Sequence, residues 1–213
     1  TRRSSDLIDE LTSQLDSLTL SPNKVKPLII LDLNGILISR KFLDEKISST
    51  STDDRDNSEI VGKFRIWKRP GCDSFLDFLF SKFEVAVFSS ITRPNIEMTV
   101  KYIFGEKISQ LKFIYNQNNC VKISKLVDNE DVNKRDITFC KNLQIVWNAF
   151  PEYNENNTLI IDDSPEKMVY NPSQAYFIAE TWSPAKENDT SLSPGGIIYQ
   201  RILAFHDRVA ESN

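Results

Sequence analysis

Residues 27–35 read Pro-Leu-Ile-Ile-Leu-Asp-Leu-Asn-Gly, an apolar run interrupted by a carboxylate at Asp32. Continuous rather than alternating hydrophobicity is typical of a strand buried on both faces, as in a parallel sheet covered by helices. Two more runs of this kind end in polar side chains: residues 84–88 before Ser89 and Ser90, and residues 158–161 before Asp162 and Asp163. These three runs predict the centre of a parallel sheet.

Segments with helical character lie between and after these runs, in residues 73–83, 94–104, 137–150 and 196–209. Strands that alternate with helices predict an α/β fold with a doubly wound, mostly parallel, Rossmann-like sheet and helices on both faces. Two further strands are expected at residues 112–115 and 175–178. A small β-hairpin flap is expected from residues 36–42 and 63–67, and a small insert near residues 105–136.

The expected domain organisation has three parts. Residues 1–24 carry leucines at helical spacing and predict an amphipathic N-terminal extension. Residues 25–185 form the core, and residues 186–213 add a C-terminal helix that packs on it. Two polar stretches, residues 45–60 and 116–133, are expected to be exposed loops.

Composition excludes several classes of function. The 213 residues include 26 Lys and Arg and 30 Asp and Glu, a net charge of −4 that gives no basic surface for direct nucleic acid binding. No apolar run approaches the roughly 20 residues of a membrane span. Three scattered cysteines and one histidine argue against a disulfide framework and a zinc site, and they favour a reducing, intracellular compartment.

Carboxylates at strand ends are the best candidates for chemistry. Because carboxyl ends of parallel strands meet at one edge of a sheet, we expect a cluster formed by Asp32, Asn34, Ser89, Asp162 and Asp163. Lys141 is expected on the helix before the strand that ends in Asp162 and Asp163. A carboxylate there can attack phosphorus if a divalent cation screens its charge, and a hydroxyl and an ammonium can bind the phosphoryl oxygens. Lys125 and Lys134 lie near Lys141 and are alternatives for the ammonium.

The order of these motifs resembles the haloacid dehalogenase superfamily, in its RNA polymerase C-terminal-domain phosphatase-like branch, also called the nuclear-LIM-interactor-interacting-factor domain. The resemblance rests on Leu-Asp-Leu-Asn-Gly at residues 31–35, Val-Phe-Ser-Ser at 87–90, Lys141, and Ile-Ile-Asp-Asp-Ser-Pro at 160–165. Lys-Arg-Pro-Gly at residues 68–71 supports it. It spans roughly residues 27–180.

The resemblance implies a role for each matching residue and Mg²⁺ as the cofactor. Asp32 matches the nucleophile that becomes phosphorylated, Ser89 the hydroxyl that holds the phosphoryl group, and Lys141 the lysine that steadies both. The implied magnesium ligands are the side chains of Asp32 and Asp163, with Asp162 beside them, and the backbone carbonyl of Asn34.

One departure affects catalysis. The family motif is Asp-x-Asp-x-Thr/Val, and its second Asp is the general acid and base; here that position is Asn34, and Ile36 takes the Thr/Val position. An amide cannot donate and recover a proton at neutral pH, which removes about 10²–10⁴-fold in rate. Three interpretations follow: a natural pseudophosphatase, an active phosphatase with an engineered trapping change, or different chemistry. The change at Ile36 favours the first.

The sequence therefore supports two function hypotheses. The first is a Mg²⁺-dependent phosphoprotein (Ser/Thr) phosphatase-like domain that uses phospho-Asp32, with impaired or lost turnover. The second is a non-catalytic protein-binding module on the same fold, for which the mitochondrial translocase receptor with this domain is a precedent. Either implies a phosphoprotein substrate or a protein partner. A monomer in the nucleus or cytoplasm, rather than the mitochondrion, is expected.

Overall fold

A computed structural model describes residues 25–43, 57–126, 135–186 and 188–212. The expected N-terminal extension, residues 1–24, lies outside the described residues, and so does most of the polar stretch 45–60. None of the described helices is long and apolar enough to cross a membrane.

The described residues form ten strands and four α-helices. The strands are β1 (Leu28–Leu31), β2 (Ile38–Phe42), β3 (Ser58–Val61), β4 (Phe64–Lys68), β5 (Glu84–Phe88), β6 (Leu111–Tyr115), β7 (Val121–Leu126), β8 (Arg135–Cys140), β9 (Thr158–Asp162) and β10 (Tyr176–Ile178). The helices are α1 (Cys72–Lys82), α2 (Arg93–Phe104), α3 (Gln144–Ala149) and α4 (Ile197–Glu211).

The centre of the fold is a five-stranded parallel sheet in the order β10-β9-β1-β5-β6. All four residues of β1 are fully buried, as continuous hydrophobicity predicts for a strand covered on both faces. The chain moves outward from β1 through β5 to β6 and returns to place β9 on the other side of β1. The predicted doubly wound α/β fold is confirmed.

Alternate side chains of β1 enter two separate cores. Ile29 and Leu31 belong to a core that includes apolar residues of α1, α2 and α4. Leu28 and Ile30 belong to the second core, which includes Val146 of α3. Because burial on either face removes apolar surface from water, both faces of the sheet stabilise the fold.

The predicted flap is present as an antiparallel sheet in the order β2-β4-β3. β2 pairs with β4, as expected from residues 36–42 and 63–67. The third strand, β3, comes from residues that the sequence placed at the end of an exposed loop.

The insert differs from the prediction in two places. Residues 121–126 were expected to be a loop and residues 137–150 a helix, but β7 and β8 pair as an antiparallel hairpin. Only Gln144–Ala149 is helical. Ile137 and Phe139 are two positions apart, a spacing that fits a strand. Because a short helix follows the strand, the apolar residues of the two elements together resemble the pattern of one helix.

Candidate active site

Three parallel strands end side by side at the candidate site. Leu31 of β1 is level with Val87 of β5 and with Ile161 of β9. Asp32, Ser89 and Asp162 therefore emerge at nearly the same height, and all three are buried. Their position follows the rule that functional residues of open α/β sheets collect beyond the carboxyl ends of the strands.

Lys141 lies between two of these carboxylates and is fully buried. Its Nζ is 3.0 Å from Asp32 Oδ1 and forms a direct ion pair with Asp162 Oδ2. Burial alone would lower the pKa of Lys141, but the negative charges of Asp32 and Asp162 outweigh burial and raise it. The ammonium therefore stays protonated at neutral pH.

The backbone of Lys141 is held by residues that sequence reasoning did not single out. Lys141 was expected on a helix, but it lies in the turn between β8 and α3. Its backbone N–H donates to the carbonyl of Lys167 at 2.8 Å. Asn171 Nδ2 donates to the carbonyl of Lys141 at 2.7 Å, and Asn171 Oδ1 accepts from the N–H of Leu143 at 2.8 Å. These bonds fix the turn, and no local sequence signal indicates them.

Asp163 faces the loop that follows β1. Its two carboxylate oxygens accept hydrogen bonds from Ser164 Oγ at 2.8 Å and from Thr181 Oγ1 at 3.0 Å. A Cβ atom at Gly35, which has φ of +83°, would lie 2.0 Å from Asp163 Oδ2. Only glycine allows this close approach of the loop to the carboxylate.

The acidic cluster has the chemistry of a site for a hard divalent cation. Asp32, Asp162 and Asp163 each offer an oxygen within 4.8 Å of the others. Both oxygens of Asp162 have partners, because Oδ2 contacts the Lys141 ammonium and Oδ1 accepts from the N–H of Ser164 at 2.9 Å. Asp32 Oδ1 is buried and lies 3.0 Å from Lys141 Nζ. The donor set fits Mg²⁺.

A cleft of about 210 Å³ opens above these residues. Its lining includes four residues predicted from the sequence and five that were not assigned to the site: Asp32, Asn34, Ser89 and Asp163, with Arg40, Phe64, Ser90, Ile91 and Lys167. Lys141 and Asp162 do not line the cleft, since both are fully buried. The sequence-predicted residues are thus brought together in one place.

Lys167 adds a second ammonium to the cluster. Its Nζ lies 4.0 Å from Asp32 Oδ2 and 3.8 Å from Asp162 Oδ1. Lys167 follows Asp-Asp-Ser-Pro-Glu in the sequence, and the turn at Pro165–Lys167 directs its backbone carbonyl to Lys141. Proximity to the motif was the only sequence signal for its role.

Asn34 connects the loop after β1 to the flap. Its side-chain Oδ1 accepts a hydrogen bond from the backbone N–H of Arg40 at 2.9 Å. The amide is exposed, whereas Ile36, two residues later, is fully buried in the core shared with α1. Asn34 and Ile36 therefore occupy different environments.

A buried ion pair contacts the loop after β1, which carries Asn34. The guanidinium of Arg69 donates to both oxygens of Asp189, at 2.8 and 2.9 Å, and each side chain is only 1% exposed. Arg69 Nη1 also donates to the carbonyl of Ile36 at 3.1 Å. This pair ties the segment before α4 to the loop that carries Asn34.

A parallel sheet whose central strand ends in an aspartate, beside a hydroxyl, a lysine and an Asp-Asp strand end, defines a phosphatase-like domain of the haloacid dehalogenase superfamily. The chain belongs to the NLI interacting factor-like phosphatase family, whose model matches residues 27–209. The recognition made from the sequence motifs is confirmed.

Two curated relatives show moderate similarity. An uncharacterised FCP1 homology domain-containing protein of Schizosaccharomyces pombe is 28% identical over 69% of this chain and 58% of its own length. A ubiquitin-like domain-containing CTD phosphatase of Arabidopsis thaliana is 27% identical over 65% of this chain and 39% of its own length. The chain thus spans about half of these relatives.

Two solved structures share the fold. Fcp1, described as an essential RNA polymerase II CTD phosphatase, matches with a TM-score of 0.51 at 17% identity, over 94% of this chain and 56% of that one. Fission yeast Fcp1 bound to beryllium fluoride matches with a TM-score of 0.50 at 16% identity, over 96% and 54%. At this identity the likeness supports the fold alone.

Proposed function

We propose that the cleft binds the phosphate of a phosphoprotein at Asp32 with the help of Mg²⁺, and that turnover is impaired or lost. The observation that carries the proposal is the convergence of Asp32, Ser89 and Asp163 on one cleft, which the amide of Asn34 also lines. Membership of the phosphatase-like family supports the choice of a phosphate ligand.

Each residue would contribute through its own chemistry. Asp32 is the nucleophile, and Lys141, whose Nζ is 3.0 Å from Asp32 Oδ1, holds the carboxylate in place through an ion pair. Ser89 would donate a hydrogen bond to a phosphoryl oxygen. Lys167 would add positive charge beside that group, since its Nζ is 4.0 Å from Asp32 Oδ2.

Asp32 and Asp163, with the backbone carbonyl of Asn34 and with Asp162 beside them, would hold Mg²⁺. The ion would supply positive charge that screens the carboxylates from an incoming phosphate. The Asp163 carboxylate is oriented for such a role by Ser164 and Thr181.

Phosphoryl transfer to Asp32 needs a proton at the leaving oxygen. A bond forms between an Asp32 oxygen and phosphorus while the bond from phosphorus to the serine or threonine oxygen breaks. The departing alkoxide must be protonated, and the Asn34 amide has no proton to give at neutral pH. Binding is therefore retained, whereas release of the alcohol and later activation of water are slow.

A second candidate, a protein-binding module without turnover, is favoured by the same residue. Neither phosphate nor cation binding depends on a charge at Asn34, so a phosphorylated partner could be held rather than hydrolysed. The two candidates predict the same occupied cleft and differ only in phosphate release.

Magnesium should raise the melting temperature of the protein, because a ligand that binds only the folded state stabilises it by mass action. Asp163→Asn should abolish most of that increase. Asp207→Asn, which changes an exposed carboxylate on α4, is the matched control and should keep it. Differential scanning fluorimetry with and without millimolar Mg²⁺ measures the effect, and a parent protein indifferent to Mg²⁺ would contradict the cation site.

Beryllium fluoride should form an adduct with the parent protein in the presence of Mg²⁺, since it mimics a phosphoryl group bonded to a carboxylate. The adduct needs the Asp32 oxygen, the cation and the hydrogen-bond donors, but no proton donor at Asn34. Fluorine NMR should show a bound signal that Asp32→Asn removes, Ser89→Ala weakens and Asn34→Asp leaves almost unchanged. A bound signal that persists in Asp32→Asn would overturn the proposed phosphate site.

A further inference from the structure

Arg40 lines the cleft and lies over an aromatic ring. It belongs to β2, and its guanidinium carbon lies 4.1 Å from the centre of the Phe64 ring on the paired strand β4. Phe64 in turn makes an edge-to-face contact with Phe42, with ring centres 5.6 Å apart. Stacking on an aromatic face fixes the plane of an arginine and leaves its N–H groups free to donate in that plane.

The guanidinium has an unsatisfied donor. Arg40 Nη1 is buried and has no hydrogen-bond partner among the described residues. Among the described residues, Arg40 forms no ion pair with a carboxylate, whereas Arg69 donates hydrogen bonds to both carboxylate oxygens of Asp189. A buried charged donor without a partner is costly unless a ligand or water completes it.

The donor shares the cleft with the nucleophile. Arg40, Asp32, Ser89 and Lys167 line one cavity. Burial lowers the pKa of the Arg40 guanidinium, while the negative charge of Asp32 acts in the opposite direction, so the two groups share an electrostatic environment. The hydrogen bond from the Arg40 N–H to Asn34 Oδ1 also fixes the strand position of Arg40 relative to the loop after β1.

A simpler interpretation is that Arg40 covers an aromatic ring with its stem and keeps its charge in water, as long cationic side chains often do. That interpretation predicts a solvated guanidinium. The buried, unpartnered Nη1 argues against it. Lys41, the next residue, shows the solvated behaviour: it is exposed, and its Nζ lies 5.8 Å from the Trp67 ring.

We infer that Arg40 is a phosphate-binding residue that donates to the oxygens of the phosphoryl group held at Asp32. The inference rests on the proposed function and extends it to a residue outside the recognised motifs. A planar guanidinium can give two parallel hydrogen bonds to phosphate, which a lysine cannot. With Lys167 at the same cleft, Arg40 would let the site retain a phosphorylated ligand even though Asn34 cannot complete the reaction.

The test is the affinity for inorganic phosphate, measured by isothermal titration calorimetry with Mg²⁺ present. Hydrogen bonds to charged groups predict a Kd about 10- to 100-fold higher in Arg40→Met than in the parent. Arg40→Lys restores the charge without the planar fork and should recover only part of the affinity. Lys41→Met removes a neighbouring charge on the same strand and should bind within about twofold of the parent.

The outcomes separate this inference from the proposed function. If Ser89→Ala weakens phosphate binding and Arg40→Met does not, the role of Arg40 is overturned and the phosphate site stands. If the parent protein does not bind phosphate, both the role of Arg40 and the proposed phosphate site are contradicted. Melting temperatures monitor folding; should Arg40→Met be unfolded, Arg40→Gln replaces it, and binding equal to the parent in that variant would equally overturn the inference.

Discussion

Asp189→Ala should lower the free energy of unfolding by about 3–5 kcal/mol, because it leaves the Arg69 guanidinium buried without its counter-charge. Both side chains are 1% exposed, so water cannot replace the lost partner. Typical domains have a total stability of about 5–15 kcal/mol, so this loss would be a large fraction of it. Urea denaturation followed by circular dichroism measures the change.

An exposed ion pair close to Asp189 in the sequence provides the control. Lys186 Nζ lies 2.5 Å from Glu180 Oε2, but the two side chains are 39% and 77% exposed. Glu180→Ala should therefore cost less than about 1 kcal/mol. The double change Asp189→Leu with Arg69→Met removes both charges and should recover part of the loss. Equal effects of Asp189→Ala and Glu180→Ala would refute the anchoring role of the buried pair.

The same pair predicts a dependence on pH. Burial would raise the pKa of Asp189, but the hydrogen bonds and charge of Arg69 outweigh burial and hold it below its ordinary value of 3.8. A carboxyl whose pKa is lower in the folded state stabilises the fold above the unfolded-state pKa and loses that contribution as the pH falls through the folded-state pKa. The stability difference between parent and Asp189→Ala should be constant near neutral pH and should shrink below about pH 4.

Asn34→Asp should raise the hydrolysis of a phosphoserine peptide by about 10²–10⁴-fold, since it restores a proton donor beside the leaving oxygen. The new carboxylate can still accept the N–H of Arg40 as Asn34 Oδ1 does at 2.9 Å, so the loop geometry should be preserved. The gain should be smaller for an aryl phosphate, because a phenoxide leaves without full protonation. Phosphate release under steady-state conditions measures both substrates.

Two variants show whether the gain arises from acid catalysis. Asn34→Ala should remain as slow as the parent, since removing the amide restores no proton. Asp32→Asn combined with Asn34→Asp should be inactive, because the introduced acid has no nucleophile to assist. Rapid hydrolysis of the peptide by the parent, reduced by Asn34→Asp, would show that this position has a different role.

The sheet and its polar edge could be predicted because their signals are local. An apolar run such as Leu28–Leu31 indicates burial on both faces wherever it occurs. The polar residue that ends each run then has to lie at the edge of the sheet, and Asp32, Ser89 and Asp163 line one cleft there.

The insert could not be predicted in the same way. Residues 137–150 contain the end of β8 and all of α3. Their apolar residues follow a two-residue period in the strand and a 3.6-residue period in the helix, and together these resemble the pattern of one helix. The pairing of Arg135–Cys140 with Val121–Leu126 decides the conformation. It depends on a partner strand that a local window does not contain, and for that reason Lys141 was assigned to a helix instead of a turn.

The sequence by itself determined the fold class and the family. The tertiary structure alone decided which charges satisfy one another: Lys141 with Asp162, 21 residues apart, and Arg69 with Asp189, 120 residues apart. It also left Arg40 with a buried, unpartnered donor at the cleft. The physical reason is that hydrophobic patterning reflects the local backbone period, whereas a buried charge is stabilised by whichever opposite charge the completed fold places against it.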